Sequence, residues 1–282
     1  MSEPVPPVID FYDRHPINEV QVLAALSRRG KDPRALAPED LYEWDQDHYG
    51  GLQAVEALAR RAEIGPRSRV LDVCAGLGGP ARFLARRFGC RVTGVDVHRG
   101  RCAGGRRLTT LVSLHRQVRM VNADAMSLPF QTGVFTAVVS QEALLHVPDK
   151  RAALAECARV LAPAGRIAFS DWVATPRLDD GERRRLDAWM AATTLETITG
   201  YRALLARAGF TGIEAEDLRA AWIGILREHL TIYRAMRVDT VARLGQRRYD
   251  EYNQLYRFFV GLVEAGKLGG PRLSGTAGRG IS

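Results

Sequence analysis

One stretch of the sequence, residues 70–97, constrains the fold more than any other: VLDVCAGLGGPARFLARRFGCRVTGVDV. It is typical of a buried strand, a glycine-rich turn, an amphipathic helix and a second strand. Amphipathic stretches such as PARFLARRFG and KRAALAECARVLAPAG separate the strand candidates, which are RVLDV, RVTGVDV, VRMVNAD, FTAVVSQ and RIAFSDWV. Strands that alternate with helices at this spacing predict an α/β fold with a doubly wound parallel sheet.

The regular alternation of strands and helices is lost on both sides of these strand candidates, and we predict four regions along the chain. Residues 1–51 are aromatic, acidic and broken by prolines, and we interpret them as an N-terminal lid segment. Residues 52–218 form the predicted core. A largely helical block over 219–266 carries many aromatic residues, and residues 267–282 hold a possible last strand and a tail. Because insertions in such folds lie on loops, we expect the helical block to cover the ligand edge of the sheet.

Composition and charge argue against several classes of protein. Of the 282 residues, 46% are apolar, and no run of 18 apolar residues could span a membrane. The N-terminus does not resemble a secretory signal, so we expect a cytoplasmic protein without a membrane partner. The net charge of +8 arises from short arginine-rich clusters rather than one long basic tract, so we expect no nucleic-acid partner. The sequence leaves the oligomeric state open.

Four cysteines occur in the chain, and none of their spacings is typical of a metal site: Cys74, Cys90, Cys102 and Cys157. Reduced thiols are the simplest interpretation for a cytoplasmic protein. We therefore expect neither a disulfide nor a metal ion.

The glycine-rich turn has an acid just before it, and this limits the ligand that it can bind. A dinucleotide would place its pyrophosphate at the start of the following helix, where Asp72 would repel it. A P-loop would end in Gly-Lys-Ser or Gly-Lys-Thr, which GLGGPA lacks. S-adenosylmethionine (SAM) instead carries a sulfonium and an ammonium group, which Asp72 can attract. Gly76 and Gly78 would let the backbone approach such a ligand.

Polar residues also end the next three predicted strands, and each suits one part of SAM. Asp96 ends the second strand, where an acid can accept both ribose hydroxyls. Asp124 ends the third strand and can accept from the adenine amino group, whereas Gln141 ends the fourth, beside the reacting end. With their neighbours, these residues form the predicted cofactor site: Asp72, Ala75, Gly76, Gly78, Asp96, Val97, Asp124, Ala125 and Gln141.

With these motifs, residues 52–175 resemble the class I SAM-dependent methyltransferases. The first motif of that family usually reads Asp-x-Gly-x-Gly-x-Gly, and this chain reads Asp72-Val73-Cys74-Ala75-Gly76-Leu77-Gly78. Cys74 replaces the first glycine, and we expect it to be structural and to keep a negative φ. The resemblance implies a Rossmann-like, mostly parallel seven-stranded sheet with N-terminal and C-terminal helical cover segments. It also implies SAM as cofactor and S-adenosylhomocysteine as product.

The segment SQEALLHVPDKRAALAECARVLAPAGRIAFSDW resembles the small-molecule branch that includes sarcosine/dimethylglycine methyltransferases. Tyr49-Gly50-Gly51 is similar to an aromatic-Gly-Gly element of that branch, although LQAVEA replaces the acidic, histidine-bearing run expected after it. The resemblance implies methyl transfer to a small molecule, with a slight preference for an amine. O- or C-methylation of a natural product, quinol or sterol-like acceptor stays open. Lesser alternatives are a nucleic-acid or protein methyltransferase and a non-catalytic SAM-binding protein.

Methyl transfer needs alignment and sometimes a base, and five residues are candidates for the acceptor site. His146 lies just beyond strand four and is the first candidate for the base, since the pKa range of histidine suits proton transfer. Glu142 is the second candidate. We assign His48 and Tyr49 to a lid over the substrate, and Trp172 to a surface for an aromatic or cationic substrate. A purely structural role for His146 stays open.

Overall fold

The computed structural model describes residues 7–13, 15, 17–46, 48–235 and 237–278. Residues 1–6 of the predicted lid segment and residues 279–282 of the predicted tail lie outside this part. Its helices are α1 (Pro7–Asp13), α2 (Glu19–Arg28), α3 (Gly51–Arg61), α4 (Gly79–Phe88), α5 (Arg99–Leu111), α6 (Lys150–Val160), α7 (Asp180–Met190), α8 (Ile198–Arg207), α9 (Arg219–Ala235), α10 (Arg237–Leu244) and α11 (Gln246–Glu264). Its strands are β1 (Arg69–Val73), β2 (Arg91–Asp96), β3 (Val118–Asn122), β4 (Phe135–Gln141), β5 (Leu161–Ser170), β6 (Val173–Ala174), β7 (Phe210–Asp217), β8 (Leu268–Gly269) and β9 (Pro271–Ala277).

Seven of these strands form one sheet in the order β3-β2-β1-β4-β5-β9-β7. The pairs from β3 to β5 are parallel, and β9 is antiparallel to both β5 and β7. The predicted mostly parallel seven-stranded sheet with flanking helices is confirmed. The strand order reverses between β1 and β4, which opens a crevice at their carboxyl ends, where such sheets bind ligands.

Both faces of the sheet are covered, which explains why its central strands read as continuous apolar runs. Successive side chains of a strand point to opposite faces. Val70 accordingly packs with Leu58 and Leu84 on one face, and Leu71 packs with Leu154 on the other. All four side chains that follow Arg69 in β1 are buried.

The predicted boundaries differ from the structure around β5. The stretch KRAALAECARVLAPAG indicates a helix that stops at its proline and glycine, but α6 already ends at Val160. Leu161 instead begins β5 by pairing with Phe135, ahead of an irregularity in the β4–β5 register. Beyond Ser170 the chain leaves the sheet, and Val173 pairs with Gly269 in the short β6–β8 sheet.

The C-terminal helices α9 and α11 pack on a third apolar cluster. Trp172, Trp222 and Phe259 belong to this cluster, together with Leu145 from the loop after β4. This packing places the helical block beside the segment that follows the carboxyl end of β4. The N-terminal helix α1 lies at the same end of the sheet, because its residues Pro7 and Val8 line the cavity described below.

Candidate active site

A cavity opens at the carboxyl ends of β1, β2 and β4, where the strand order reverses. It holds about 1290 Å³ of empty space, counted out to the solvent at its mouth. Among the predicted site residues, Gly78, Tyr49 and Trp172 are not part of its wall. The others all line it: His48, Asp72, Ala75, Gly76, Asp96, Val97, Asp124, Ala125, Gln141, Glu142 and His146.

The glycine-rich loop turns sharply from β1 into α4 through three residues with positive φ. Gly76 has a φ of +54° and Gly78 a φ of +76°. Cys74 has a φ of +59°, so the expectation of a negative φ at this residue is wrong. The next residue, Ala75, donates its N–H to the carbonyl of Val95 at 2.9 Å, which ties the turn to β2. Cys74 thus adopts the left-handed conformation that glycine accepts more readily.

Gly78 supports the loop from behind and does not line the cavity. It precedes α4 directly, and a Cβ atom on this residue would lie 2.9 Å from the sulfur of Met120. Gly76 is crowded on the cavity side, because a Cβ there would lie 2.7 Å from Nη2 of Arg101. The two glycines therefore allow close packing on different sides of the turn.

Asp72 is a buried carboxylate at the start of this loop. Its side chain lines the cavity although the residue is only 2% exposed. Within the described ranges, its Oδ2 atom has no hydrogen-bond partner. Burial and, less strongly, the charge of Asp96 raise the pKa of Asp72 from 3.8 to about 7. A buried acid of this kind favours a cationic ligand, which would stabilise its ionised form.

Asp96 is held in a fixed orientation by backbone donors. Gly76 donates to its Oδ2 at 2.8 Å, and His98 donates to its Oδ1 at 2.8 Å. Each carboxylate oxygen has a further lone pair for a ligand hydroxyl. Asp124 is exposed and accepts from the N–H of Met126 at 2.8 Å. The cavity therefore carries two preorganised carboxylates beside the buried one.

Gln141 and Glu142 follow each other at the end of β4. The side-chain amide oxygen and nitrogen of Gln141 are buried without a partner in the part of the chain that the structure describes. Glu142 has a φ of +52°, and its carboxylate accepts from the N–H of Tyr49 at 3.0 and 3.2 Å. Gln141 can therefore bind a polar ligand group, and Glu142 joins the N-terminal segment to the cavity.

His146 lies in the 3₁₀ turn after β4 and is 8% exposed. Its Nδ1 lies 2.9 Å from the carbonyl oxygen of Ala191, and its Nε2 lies 3.2 Å from the hydroxyl of Tyr12. Because a carbonyl oxygen only accepts, Nδ1 carries the proton. In neutral His146 the Nε2 atom is consequently a proton acceptor, and the Tyr12 hydroxyl donates to it.

Tyr12 and Arg101 belong to this wall, and neither was predicted from the sequence. Tyr12 reaches His146 from α1, across 134 positions of sequence. The guanidinium of Arg101 lies 4.4 Å from the centroid of the Tyr12 ring, and its Nη1 donates to the carbonyl of Ile17 at 3.3 Å. No local motif indicates these contacts, since each joins segments far apart in the chain. The only sequence signal is the aromatic character of the N-terminal region.

A buried ion pair connects the N-terminal segment to α4. Arg82 donates from Nη2 to Oδ2 of Asp45 at 2.8 Å, and both side chains are almost fully buried. Asp45 also lines the cavity. His48, three residues later, places its Nε2 3.0 Å from Oε1 of Gln46. These contacts fix the segment that precedes Tyr49 against the glycine-rich loop.

Trp172 does not face the cavity, contrary to its predicted role as an acceptor surface. It is 3% exposed, and its ring lies 4.7 Å from that of Trp222 and 5.6 Å from that of Phe259. Tyr49 packs against the same cluster, with its ring centroid 5.7 Å from that of Trp172. Trp172 and Tyr49 pack here because the C-terminal helices bury their apolar faces against large apolar side chains.

Two features are absent from the part of the chain that the structure describes. They contain no group of three histidine, cysteine, aspartate or glutamate side chains that could hold a metal ion. None of the helices described here combines the length and the apolar character needed to cross a membrane.

Residues 71–169 match a family model described as a methyltransferase domain. The match begins in β1, ends in β5 and includes the glycine-rich loop, the four strand-end residues of the predicted cofactor site, Glu142 and His146.

Curated relatives match a larger part of the chain. It is 32% identical over 169 residues to a glycine/sarcosine/dimethylglycine N-methyltransferase of Actinopolyspora halophila, which covers 59% of this chain and 29% of the relative. It is 34% identical over 171 residues to the methyltransferase GfsG of Streptomyces halstedii, which covers 60% and 62%. A sterol 24-C-methyltransferase of Eremothecium gossypii is 34% identical over 166 residues, covering 57% and 44%. The chain spans less than two thirds of the length of each of these relatives.

Solved structures share the fold of the methyltransferase domain and its surroundings. The phosphoethanolamine N-methyltransferase 2 of Haemonchus contortus gives a TM-score of 0.73 at 20% identity, covering 99% of this chain and 61% of that one. The [4+2]-cyclase SpnF gives a TM-score of 0.73 at 22% identity and covers 98% of both chains. At this identity the likeness establishes the fold alone, since one fold serves different reactions.

Proposed function

We propose that this chain is a SAM-dependent methyltransferase that acts on a small-molecule acceptor. The observation that carries the proposal is Asp72, a buried acid that lines the cavity with an unpartnered oxygen among the described residues. SAM would give this acid a positively charged partner, and SAM carries no phosphate that the acid would repel. The matched methyltransferase domain and the relatives' printed names support the same assignment.

The residues present fit SAM at each of its parts. Asp72 would bind its cationic end, and Gly76 with Ala75 would let the backbone lie against it. Asp96 would accept from the ribose hydroxyls, since both of its oxygens are already oriented by backbone donors. The adenine would lie between the exposed side chain of Val97 and the pair Asp124 and Ala125. Gln141, with both amide atoms buried and unpartnered within the described ranges, would bind near the reacting end.

When bound, SAM supplies a methyl group activated by its sulfonium. The protein has to align the acceptor, exclude water and, for some acceptors, remove a proton. Nε2 of His146 is placed for the last task, because Nδ1 is committed to the carbonyl of Ala191. We assign Glu142 to orientation of the acceptor. Tyr12, whose hydroxyl donates to His146, would give way to the acceptor or bind it.

Supporting observations divide between two kinds of acceptor. The relatives named as sarcosine and dimethylglycine N-methyltransferases support an amine, and the Glu142 carboxylate could accept a hydrogen bond from a neutral amine. The alternative is a hydroxyl or carbon acceptor, supported by the relative named sterol 24-C-methyltransferase and by the proton-accepting Nε2 of His146. We give a slight preference to the amine.

We also propose that residues 1–51 and the helical block over 219–266 cover the acceptor. Pro7, Val8 and Tyr12 of α1 line the cavity, which supports a cover that excludes water. The C-terminal block packs on Trp172 and Tyr49 behind the Glu142 segment, so its role would be to support the cover.

The first test is binding and turnover. Calorimetry should show that the protein binds SAM and S-adenosylhomocysteine, and Asp96→Ala should lose roughly 2 to 4 kcal/mol of that binding, as expected for hydrogen bonds to a charged group. Metabolite pools incubated with protein and SAM should yield products that have gained one methyl group. If SAM binds but no acceptor gains a methyl group, the non-catalytic alternative holds. If SAM does not bind, the proposal fails.

The second test separates the two acceptor classes. His146→Gln should lower turnover by about 10²- to 10⁴-fold if His146 is the base for a hydroxyl or carbon acid. A loss below about threefold would favour alignment of a neutral amine. His115→Gln is the matched control, because His115 is exposed in the loop before β3 and touches none of the cavity. Cofactor affinity should be unchanged in both variants.

A further inference from the structure

Four polar residues lie behind the turn that carries His146, and they have no role in the functions assigned above. Lys150, Asp171 and Tyr201 are buried, and Thr194 is partly shielded from solvent. They come from different elements and bond to one another or to the backbone of the turn. We call these four residues the polar scaffold. None of the four belongs to the cavity wall.

Asp171 and Tyr201 hold the first half of the turn. Asp171 follows β5, is fully buried, and accepts from the N–H of Leu145 at 3.3 Å. The hydroxyl of Tyr201, on α8, donates to the other carboxylate oxygen. Burial raises the pKa of Asp171 to about 6, against the opposing influences of Lys150 and Tyr201. Burying this carboxylate costs free energy, and in its position it fixes the backbone N–H of Leu145.

Thr194 and its neighbour hold the second half of the turn. The N–H of Thr194 donates to the carbonyl of Leu145 at 3.2 Å, and its hydroxyl donates to the carbonyl of Val147 at 2.8 Å. The hydroxyl of Thr193 donates to the carbonyl of His146 at 3.4 Å. Hydrogen bonds therefore join the segment after α7 to the turn on both sides of His146.

Lys150 holds that segment in place. Its ammonium donates to the carbonyl of Thr194 at 2.7 Å and also to the hydroxyl of Thr194. Lys150 is only 5% exposed and is the first residue of α6, where the helix dipole disfavours a cation. Burial lowers the pKa of Lys150, and Asp171 and Glu196 oppose this effect. An apolar side chain would avoid these costs, so stability alone does not explain the lysine.

The segment that Lys150 holds also provides the acceptor for His146. Ala191 begins it, in a left-handed conformation at the end of α7. Its carbonyl accepts from Nδ1 of His146 at 2.9 Å, and Thr193 and Thr194 follow within three residues. If this segment moved, His146 would lose the bond that decides which nitrogen carries its proton.

We propose that Lys150, Asp171, Thr194 and Tyr201 are positioning residues that keep His146 protonated on Nδ1 and leave Nε2 as the proton acceptor. The use of Nε2 in turnover rests on the proposed function, whereas the tautomer does not. A second partner on the far nitrogen of a functional histidine commonly fixes its tautomer in this way.

Nitrogen-15 spectra of protein with labelled histidine test the proposal without any acceptor. The spectrum of His146, assigned by its loss in His146→Gln, should show a protonated Nδ1 and an unprotonated Nε2 in the neutral ring. In Lys150→Met and in Thr194→Val, we expect a mixture of the two tautomers. Thr136→Val is the matched control, because Thr136 accepts from the N–H of Arg69 at the opposite end of β4. It should keep the wild-type spectrum.

Turnover provides the second measurement once an acceptor is known. For an acceptor whose turnover depends on His146, Lys150→Met and Thr194→Val should lower kcat by about 10- to 100-fold, as is usual for residues that orient a functional histidine. Their dissociation constants for SAM should stay within about threefold of wild type, since no scaffold residue lines the cavity. Thr194→Val preserves side-chain shape and keeps the test valid if Lys150→Met does not fold.

Two results would overturn the proposal. One is a folded Thr194→Val protein in which His146 keeps a single Nδ1-protonated form. The other applies to an acceptor whose turnover falls at least about 10²-fold in His146→Gln, and it is a kcat of Thr194→Val that falls no further than that of Thr136→Val. Failure of the proposed function is distinguishable, because a wild-type protein that methylates nothing would still give the tautomer result.

Discussion

Replacing Asp72 by asparagine is expected to stabilise the ligand-free protein while weakening its binding of SAM. The pKa of Asp72 is about 7 in the folded protein, against a reference value of 3.8. Because the folded-state pKa is raised, the folded protein binds the proton more tightly than the unfolded chain does. The free energy of unfolding therefore falls as pH rises from about 4 to 7, and the loss is complete above pH 7.

The size of this effect follows from the two pKa values. At pH 7.5 the buried charge costs about 4 kcal/mol, and at pH 5 about 2 kcal/mol, because the folded protein then keeps the carboxyl largely protonated. The asparagine side chain of the variant carries no charge at either pH. The stability advantage of Asp72→Asn over wild type should therefore shrink by about 2 kcal/mol between pH 7.5 and pH 5. Any constant cost of burying the amide cancels in that difference.

Urea unfolding of both proteins at the two pH values measures this difference. Asp124→Asn is the control, since Asp124 is an exposed carboxylate of the same cavity and its replacement should change stability by at most about 0.5 kcal/mol at both pH values. A stability difference between Asp72→Asn and wild type that is the same at pH 7.5 and pH 5 would refute the reasoning.

Calorimetry tests the second half of this prediction, the weaker binding of SAM by Asp72→Asn. A cationic ligand binds the ionised form of Asp72, so the affinity of wild type for SAM should fall by roughly 20-fold between pH 7.5 and pH 5.5. Asp72→Asn should bind more weakly at pH 7.5 and lose that pH dependence. Tight, pH-independent binding by wild type would show that Asp72 does not face the positive charge of the ligand.

Three further outcomes follow from single residues. Cys74→Gly should raise the free energy of unfolding by about 1 kcal/mol, because it relieves a left-handed cysteine, and Cys74→Ala should not; unchanged stability of Cys74→Gly in urea would contradict this. Trp172→Ala should cost about 3 to 5 kcal/mol, measured in the same way, whereas a loss below about 1 kcal/mol would contradict its burial. Arg82→Met should cost about 3 to 5 kcal/mol, because it leaves the Asp45 carboxylate buried alone, and Arg82→Met with Asp45→Leu should recover much of it.

The sheet and the cofactor half of the site could be predicted because their signals are local. Buried parallel strands read as apolar runs, and the carboxyl ends of neighbouring parallel strands meet at one edge. Asp72, Asp96, Asp124 and Gln141 each end or nearly end such a strand, and the structure brings them into one cavity. The glycine-rich turn identified the strand at which the crevice begins.

The remaining features depend on contacts between distant segments. The sequence does not indicate that Tyr12 reaches His146, or that Arg101 lies over Tyr12. The place of Trp172 just after β5 suits an acceptor surface, but a tryptophan there can equally well pack against the C-terminal helices, as Trp172 does. The positive φ of Cys74 is set by the sharpness of the turn, which a small residue can follow at a modest energetic cost.

This division between local and long-range signals bears on acceptor choice. Residues 71–169, which match the methyltransferase-domain model, contain the predicted cofactor contacts together with Glu142 and His146. Two groups that contact His146 lie outside this range, since Tyr12 belongs to α1 and Ala191 follows α7. Relatives with different names each match only about three fifths of this chain. We therefore expect the segments that flank residues 71–169 to influence which acceptor is bound, because they supply the partners described here for both ring nitrogens of His146.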